Sequence, residues 1–581
     1  MGSFRRISRC VSRPLFLILI ATFSQAIASG QIFAQQLPGE VIQQLERDRR
    51  DQEQQRREER PQKPPIIMEE KKPPPPPAGP AAKVLVKKFR VEGSTLLTPQ
   101  EIGSVVAPYE GKELSLEDMR NVADLITARY RSKGYIIANA FVPKQEIKDN
   151  VVTIKVVEGK IESITVRGNK SYSTDFIKKY LSVIEKDPSL KEQTLEKALI
   201  LLNDNHSLDV KASLKAGKEP GMTDVIAAVE DKFPVWGSLF YDNYGTSTTG
   251  KNRMGFGLGL GNLLTSGDTV NLWGITGTDK IDVNALSYGR VEYSVPIGIY
   301  GARAGLYYAH NLYQASGDVT PLGLQGNADI AGTFIIQPLY KTRDSTLAAR
   351  LGFDYKNVRQ YELESLTSDD HDRVLTLGFL YDSLDSYGGK NYADLTLHQG
   401  IKGFLGATGP NDPYSSRYGA DSGFEKVTAD FLRIQKLPGY NHILLRASGQ
   451  YSSDPLFVVE QFLAGGAGSV RGYNPAEIAG DTGYSCTAEL VVSPIYPDST
   501  IFGQKVGNTI QYAFFIDHGY VHRNAILPGD YQRAELTGVG GGIRLYAGKY
   551  FSVKADYGIP LVGGTLETRK SVTYVQAMIT F

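Results

Sequence analysis

The chain has 581 residues, with 64 Lys and Arg against 63 Asp and Glu and a formal net charge of +1. That length admits several domains, the charge balance excludes the strongly basic character of a nucleic-acid binder, and two cysteines exclude a disulfide-built scaffold. Arg5, Arg6, Arg9 and Arg13 precede an apolar core from Leu15 to Phe23, followed by small residues at Ala26-Ile-Ala28 and a second possible cleavage point after Ala34. Residues 1–34 are therefore predicted to be a secretory signal peptide, whose apolar core is too short to span a bilayer. Losing these four arginines and no acidic residue takes the charge from +1 to −3, and leaves Cys486 as the single cysteine. No later stretch reaches 18 consecutive apolar residues, so no helical membrane anchor is expected.

Residues 35–60, QQLPGEVIQQLERDRRDQEQQRREER, are rich in helix formers, with Pro38 at the start and Pro61 as the stop. A helix from about Gly39 to Arg60 is roughly 33 Å long, near the thickness of a bilayer core. Beyond Val41, Ile42 and Leu45 it is polar all round, which suits a water-filled lumen or plain solvent and not lipid. Residues 61–82 hold nine prolines between Pro61 and Pro80 and read as an extended polyproline linker.

An internal repeat fills 83–231. Phe89-Arg-Val-Glu-Gly-Ser94 recurs 75 residues later as Ile164-Thr-Val-Arg-Gly-Asn169, and Val151–Glu158 corresponds to Val225–Glu230. In the first copy Thr98-Pro99-Gln100-Glu101 is a capping box with Pro at the first helical position. Ser115 opens a longer helix with Leu116, Met119, Val122, Ala123, Ile126 and Tyr130 expected on its buried face and Gly134 as its stop. Thr194 to Asn205 is the matching helix of the second copy. The units are divided as 83–158 and 159–231, each β-α-α-β-β.

The character then changes: residues 232–581 hold 48 of the 60 glycines and 28 of the 33 tyrosines, the usage of a membrane barrel with tight turns and aromatic girdles. About 22 residues per strand and connection gives 16 strands. Leu347, Ala349, Leu351, Phe353 and Tyr355 alternate with Thr346, Ala348, Arg350, Gly352 and Asp354, and the chain ends on Val575, Ala577, Ile579 and Phe581 against Tyr574, Gln576, Met578 and Thr580. Signals for catalysis, metals or cofactors are poor. Gly245-x-x-x-x-Gly250-Lys251 carries Asn252 where a phosphate loop needs Ser or Thr. Gly255, Gly257, Gly259 and Gly261 alternate at period two, as a strand does, and neither a His-Glu-x-x-His pair nor a Gly-x-Ser-x-Gly elbow occurs.

The stretch 463–484 is too long and Gly-rich for a hairpin turn and reads as a functional loop. At its centre stand Val470, Arg471, Gly472 and Tyr473. Downstream, Ile510, Tyr512, Phe514 and Ile516 share one strand face and Gln511, Ala513, Phe515, Asp517 and Gly519 the other. With the apolar face on lipid, Asp517 points into the lumen and Glu489 is a second acidic candidate. An ordinary surface loop with a solvated arginine is the alternative reading. Val470–Tyr473 resembles the loop motif of the BamA-like outer-membrane superfamily, and Phe515-Ile-Asp-His-Gly519 resembles its Phe-x-Asp-x-Gly strand motif, which pairs with the loop arginine. Lys133-Gly-Tyr-Ile-Ile-Ala-Asn-Ala-Phe-Val-Pro-Lys-Gln145 is similar to the first POTRA domain of two-partner secretion (TpsB/ShlB) transporters, and the Leu37-Pro-Gly39 helix resembles their plug.

The resemblance implies α+β periplasmic POTRA repeats followed by an all-β, 16-stranded transmembrane antiparallel β-barrel (232–581) in the outer membrane of a Gram-negative cell. It implies a plug at 35–60, POTRA domains at 83–158 and 159–231, and Phe581 as the signal read by the barrel assembly machinery. The implied function is transport, with no catalytic residue, cofactor or metal. A monomer would capture an unfolded TpsA-type exoprotein through its POTRA domains by strand addition and pass it to the surface without ATP. An assembly factor that inserts other barrels is the alternative within the superfamily, and a diffusion porin the one outside it, although a porin needs no N-terminal repeat.

Overall fold

The computed structural model describes Val41, Leu45, Glu46, Arg49, Ile67 and Met68, and residues 83–581 apart from 188, 220, 247, 279–285, 316, 502 and 565–569. The expected signal peptide lies outside the described residues, as does the linker apart from Ile67 and Met68. The expected helix 35–60 is described at four positions, all helical.

Two α/β units come first, and their shared topology explains the 75-residue repeat. In the first, the strand Lys88–Glu92 pairs parallel with Val151–Val157, which pairs antiparallel with Asn139–Phe141. In the second, Lys160–Arg167 pairs parallel with Met222–Asp231, which pairs antiparallel with Leu208–Ala216. Gly93 and Gly168 occupy equivalent places at the end of the first strand of each unit, with φ of 85° and 92°. A Cβ there would stand 2.3 Å from the Val156 carbonyl oxygen or 2.4 Å from that of Val229, so only glycine lets the chain turn into the helix that follows.

The helices start where the capping residues stand. The Thr98 hydroxyl accepts from the Glu101 N–H at 3.3 Å while the Glu101 carboxylate accepts from the Thr98 N–H at 3.1 Å, opening Pro99–Val106. Ser115 and Asp118 make the same reciprocal pair at the head of Leu116–Ser132. Met119, Val122, Ala123, Ile126 and Tyr130 are buried as the periodicity requires, but Leu116 is 50% exposed. It is the first helical residue, and lies ahead of the sheet that covers the rest of its stripe. The second unit packs Thr174–Glu185 and Glu192–Asn203 on its sheet, the latter two residues earlier at each end than expected.

The remainder is a closed antiparallel barrel of 16 strands, from Val235–Asp242 to Val572–Thr580, these two joined in register Ser238↔Thr580. Every strand of the barrel thereby has a partner on both edges, the condition for crossing lipid with strands. Side chains obey the period of two: Tyr512, Phe514 and Ile516 are exposed to the lipid side while Ala513, Phe515 and Asp517 are buried inside. The alternating glycines of Arg253–Gly261 make room for aromatic rings, since a Cβ on Gly255 would meet the Phe240 ring at 2.2 Å and one on Gly259 the Trp236 ring at 2.0 Å. The second α/β unit rests against the periplasmic turns: His206 stacks on Trp236 at 3.6 Å between centroids, and Lys341 pairs with Asp204. Three consecutive strands, Gln325–Lys341, Ser345–Glu362 and Ser365–Leu384, have 17, 18 and 20 residues, and on the extracellular side the last runs beyond its pairing with Gly389–Gly400, which stops at Val374↔Gly400.

Candidate functional site

The sixth extracellular connection joins His442–Ser452 to Thr482–Val492. The loop is thus 453–481, starting ten residues before the sequence expectation of 463–484, and Tyr484 belongs to a strand. A short hairpin, Phe462–Ala464 with Ile478–Gly480, gives it a rigid stem. Val470 and Tyr473 are buried with Phe462, Ile478, Val521 and Leu536, which folds the tip into the barrel.

Arg471 is the centre of the tip. Its Nε and Nη2 donate to the two carboxylate oxygens of Asp517 at 2.8 and 3.0 Å, and its own backbone N–H donates to Asp517 at 3.0 Å. Nη1 reaches Glu489 at 2.6 Å and Asp556 at 3.4 Å. The guanidinium lies 3.3 Å above the centroid of the Phe515 ring, so its flat face is covered while its edge is spent on oxygens. Arg544 closes the far side, donating to Asp556 at 2.6 and 3.1 Å and to Glu489 at 3.1 Å. Two cations and three carboxylates are thus shared by one loop and four wall strands, all five side chains buried.

The backbone of the tip lies in a slot made of glycine. A Cβ on Gly538 would stand 1.9 Å from the Arg471 carbonyl oxygen, and one on Gly558 would stand 2.4 Å from the Gly472 nitrogen. Gly472 itself has φ of 102° and would press a Cβ on the backbone of 558–560. Tyr574 brackets the turn, its hydroxyl accepting from the Gly472 N–H at 3.1 Å and donating to the Tyr473 carbonyl. The Tyr473 hydroxyl reaches the Thr537 carbonyl oxygen at 2.7 Å.

Val470, Arg471, Gly472, Tyr473, Glu489, Phe515, Asp517 and Gly519 are therefore brought into one site, Gly519 lying under the Val470 side chain. Phe581 is elsewhere: it is 58% exposed at the end of the last strand, exchanging two backbone hydrogen bonds of 3.0 Å with Gly237. Sequence reasoning missed Arg544, Gly538 and Tyr574 as partners. Asp556 and Gly558 share one face of their strand by its period of two, and that shared inward parity is the signal that could have found all five. It also missed two further charge contacts of the loop. Glu460 receives Lys356 and Lys426 from the wall. Asp481 receives Arg417 of the preceding loop and the N–H groups of Leu456 at 2.9 Å and Asn524 at 2.7 Å.

The four described helical residues before the linker also lie in the lumen. Val41 and Leu45 are buried among Phe240, Trp273, Tyr288 and Tyr307. Glu46 accepts from the Tyr288 hydroxyl and from Arg290 at 3.1 Å. Between these residues and the loop remains a polar cavity of about 330 Å³, reached by Arg49, Arg350, Asp394 and Lys426.

A barrel of 16 strands carrying two α/β units and a charged inward loop defines the class of outer-membrane polypeptide transporters and assembly proteins. The haemolysin secretion/activation protein family ShlB/FhaC/HecB matches residues 221–545, and the ShlB-type POTRA domain matches 84–159. The chain belongs to this family of two-partner secretion transporters of the outer membrane. It is 23% identical over 499 residues to the Heme/hemopexin transporter protein HuxB of Haemophilus influenzae, covering 83% of this chain and 84% of HuxB. It is 25% identical over 500 residues to the outer membrane transporter CdiB of Escherichia coli, covering 82% of this chain and 79% of CdiB. The solved CdiB of Escherichia coli superposes with a TM-score of 0.69 at 22% identity, covering 94% of this chain and 100% of CdiB.

Proposed function

We propose that this transporter takes an unfolded exoprotein from the periplasm through its two α/β units and passes it through the barrel to the cell surface, with neither nucleotide nor catalysis. The observation that carries this reading is the loop 453–481, held across the lumen by Arg471 on Asp517, Glu489 and Asp556. A loop seated by one buried charge cluster, and not covalently, can leave the lumen when that cluster opens, which is what a gate requires. Residues 35–60 act as a second stopper, since Val41, Leu45 and Glu46 line up against the lumen wall, with 61–82 as its tether. An edge of the α/β sheets other than Leu208–Ala216, which already pairs with Ile67–Met68, receives the client as an added strand, and the chain works as a monomer that the barrel assembly machinery inserts through Phe581.

Reconstituted in vesicles with the α/β units outward, the chain should render an added unfolded secretion domain protease-resistant in the absence of nucleotide. A client that binds and stays fully digestible contradicts transport. Deleting 35–60 should raise ion conductance in planar bilayers while heat-resistant folding persists, and unchanged conductance removes the stopper role.

A further inference from the structure

The outer surface of the long hairpins changes chemistry within one strand turn. On Ser345–Glu362 and Ser365–Leu384, outward-facing Leu351, Leu375, Leu377 and Phe379 are exposed to lipid. Above Leu375 the same face turns polar, with His371 paired to Asp369 at 2.9 Å and Arg359 to Asp369 at 3.2 Å. The boundary is the row Tyr355↔Arg373. Leu375 lies six residues above Tyr381, roughly 15 Å up a tilted strand, and Arg373 a further 5 Å or so, in an apolar band about 25 Å tall. This row is therefore the outer edge of the hydrocarbon.

The fifth extracellular loop, 401–424, folds down over that row from outside. Arg373 is wholly buried beneath it: its guanidinium sits 3.4 Å from the Tyr355 ring centroid and donates to the Leu405 carbonyl oxygen at 2.9 and 3.1 Å. His371 Nδ1 lies 3.1 Å from the Gly406 carbonyl oxygen, fixing the same segment. The turn is tight, with Gly403, Leu405 and Gly406 at φ of 66°, 46° and 73°. A bulky residue in the left-handed region is costly and persists where the surroundings demand it. Its product is two apolar side chains aimed outward, Phe404 at 45% exposed and Leu405 at 56%. The Phe404 ring packs edge-on against Phe353, 5.9 Å between centroids, and so continues the lipid-facing belt instead of standing in water.

We propose that Phe404 and Leu405 form a wedge seated in the acyl chains of the outer leaflet just below its headgroups. The occupant is lipid because the surface is continuous with the barrel's lipid face and begins below its polar edge. The wedge anchors one limb of the loop to the membrane, while Arg417 on the other limb donates to Asp481, to the Leu456 carbonyl oxygen at 2.9 Å and to the Ala525 carbonyl oxygen at 3.1 Å. The outer leaflet thus supports the cover formed by three extracellular loops.

The test uses the full chain with Cys486→Ser and one environment-sensitive fluorophore on a cysteine at Leu405, in phosphatidylcholine vesicles bearing doxyl-labelled chains. Reference labels go on Leu377, which faces lipid, and on Tyr418, 69% exposed on the same loop. Heat-resistant migration first establishes that each labelled barrel is folded. The Leu405 label should emit at blue-shifted wavelength, be quenched by doxyl lipid to the extent seen at Leu377, and be several-fold less accessible to iodide than the Tyr418 label. Iodide quenching equal to that at Tyr418 overturns the wedge. Protection from both quenchers also overturns it, since it would place a second copy or another protein segment on this surface.

Discussion

The loop meets the wall at two buried charge clusters of opposite polarity. At the tip the loop brings the cation, Arg471, to three carboxylates and a second arginine. At the base it brings the anion, Glu460, to two lysines. The tip cluster is geometric: a bidentate fork, a ring under the guanidinium and a glycine slot admit one pose. The base cluster rests on point charges at the ends of flexible stems. It also holds a second carboxyl group, Asp372, buried beside Glu460 and in register with Lys356. If Glu460 leaves, Lys356 still has the Asp372 carboxyl group beside it. If Arg471 leaves, three carboxylates face Arg544 alone. The tip is thus the more closely specified of the two contacts, and it is the one proposed above to hold the gate.

The largest effect expected is therefore from Arg471→Ala, which strands buried carboxylates at a cost on the order of 3 to 5 kcal/mol. Secretion of the client should fall to background while the barrel still inserts and resists heat in gel migration. Asp517→Ala follows closely, losing three hydrogen bonds but leaving Glu489 and Asp556 for the arginine. Next comes Gly538→Ala, whose new Cβ cannot coexist with the Arg471 carbonyl. A cysteine placed in the tip should become reactive to an external thiol reagent in this variant, with every charge retained.

The charged groups facing Arg471 were only partly legible in the sequence. Asp517 and Glu489 could be found because each sits in a cleanly alternating strand with an apolar opposite face. Arg544 and Asp556 obey the same alternation, but nothing local says that the tip of the loop comes down onto their strands. That is a property of the folded loop. The glycine slot was hidden for the same reason, since Gly538 and Gly558 look like any strand glycines until the loop backbone lies on them. The two α/β units were more legible, their signals being short-range: caps, a helical stripe and a repeated Gly after a strand. Leu116 misled because a period of 3.6 says which residues share a face and not where the covering sheet begins.

Smaller effects sharpen the contrast of tip and base. Lys356→Arg should keep most secretion, since a point charge at the base tolerates another cation. Arg471→Lys should rescue poorly, because a lysine cannot bond both Asp517 oxygens and cover the ring. Equal tolerance at both places would erase the distinction. The smallest effect lies far from the lumen, at Glu101. Its pKa is lowered from 4.5 to about 2, first by Lys133, then by the Thr98 N–H, with Arg129 adding less. A carboxylate with a depressed folded-state pKa stabilises above its unfolded value and loses that contribution as pH falls through the folded one. Glu101→Gln should thus lower the melting temperature of the first α/β unit slightly at pH 7, and the difference should vanish between about pH 4.5 and 2.

The most direct measurement of the tip contact is a double-mutant cycle of Arg471→Ala and Asp517→Ala, read by the amount of client secreted and by thiol access to the loop tip. Removing Asp517 in the Arg471→Ala background takes away the one carboxylate of the three that Arg544 does not bond. The double variant should therefore be no worse than Arg471→Ala alone, on both readouts. Losses that simply add, or full secretion by Arg471→Ala, would contradict the account.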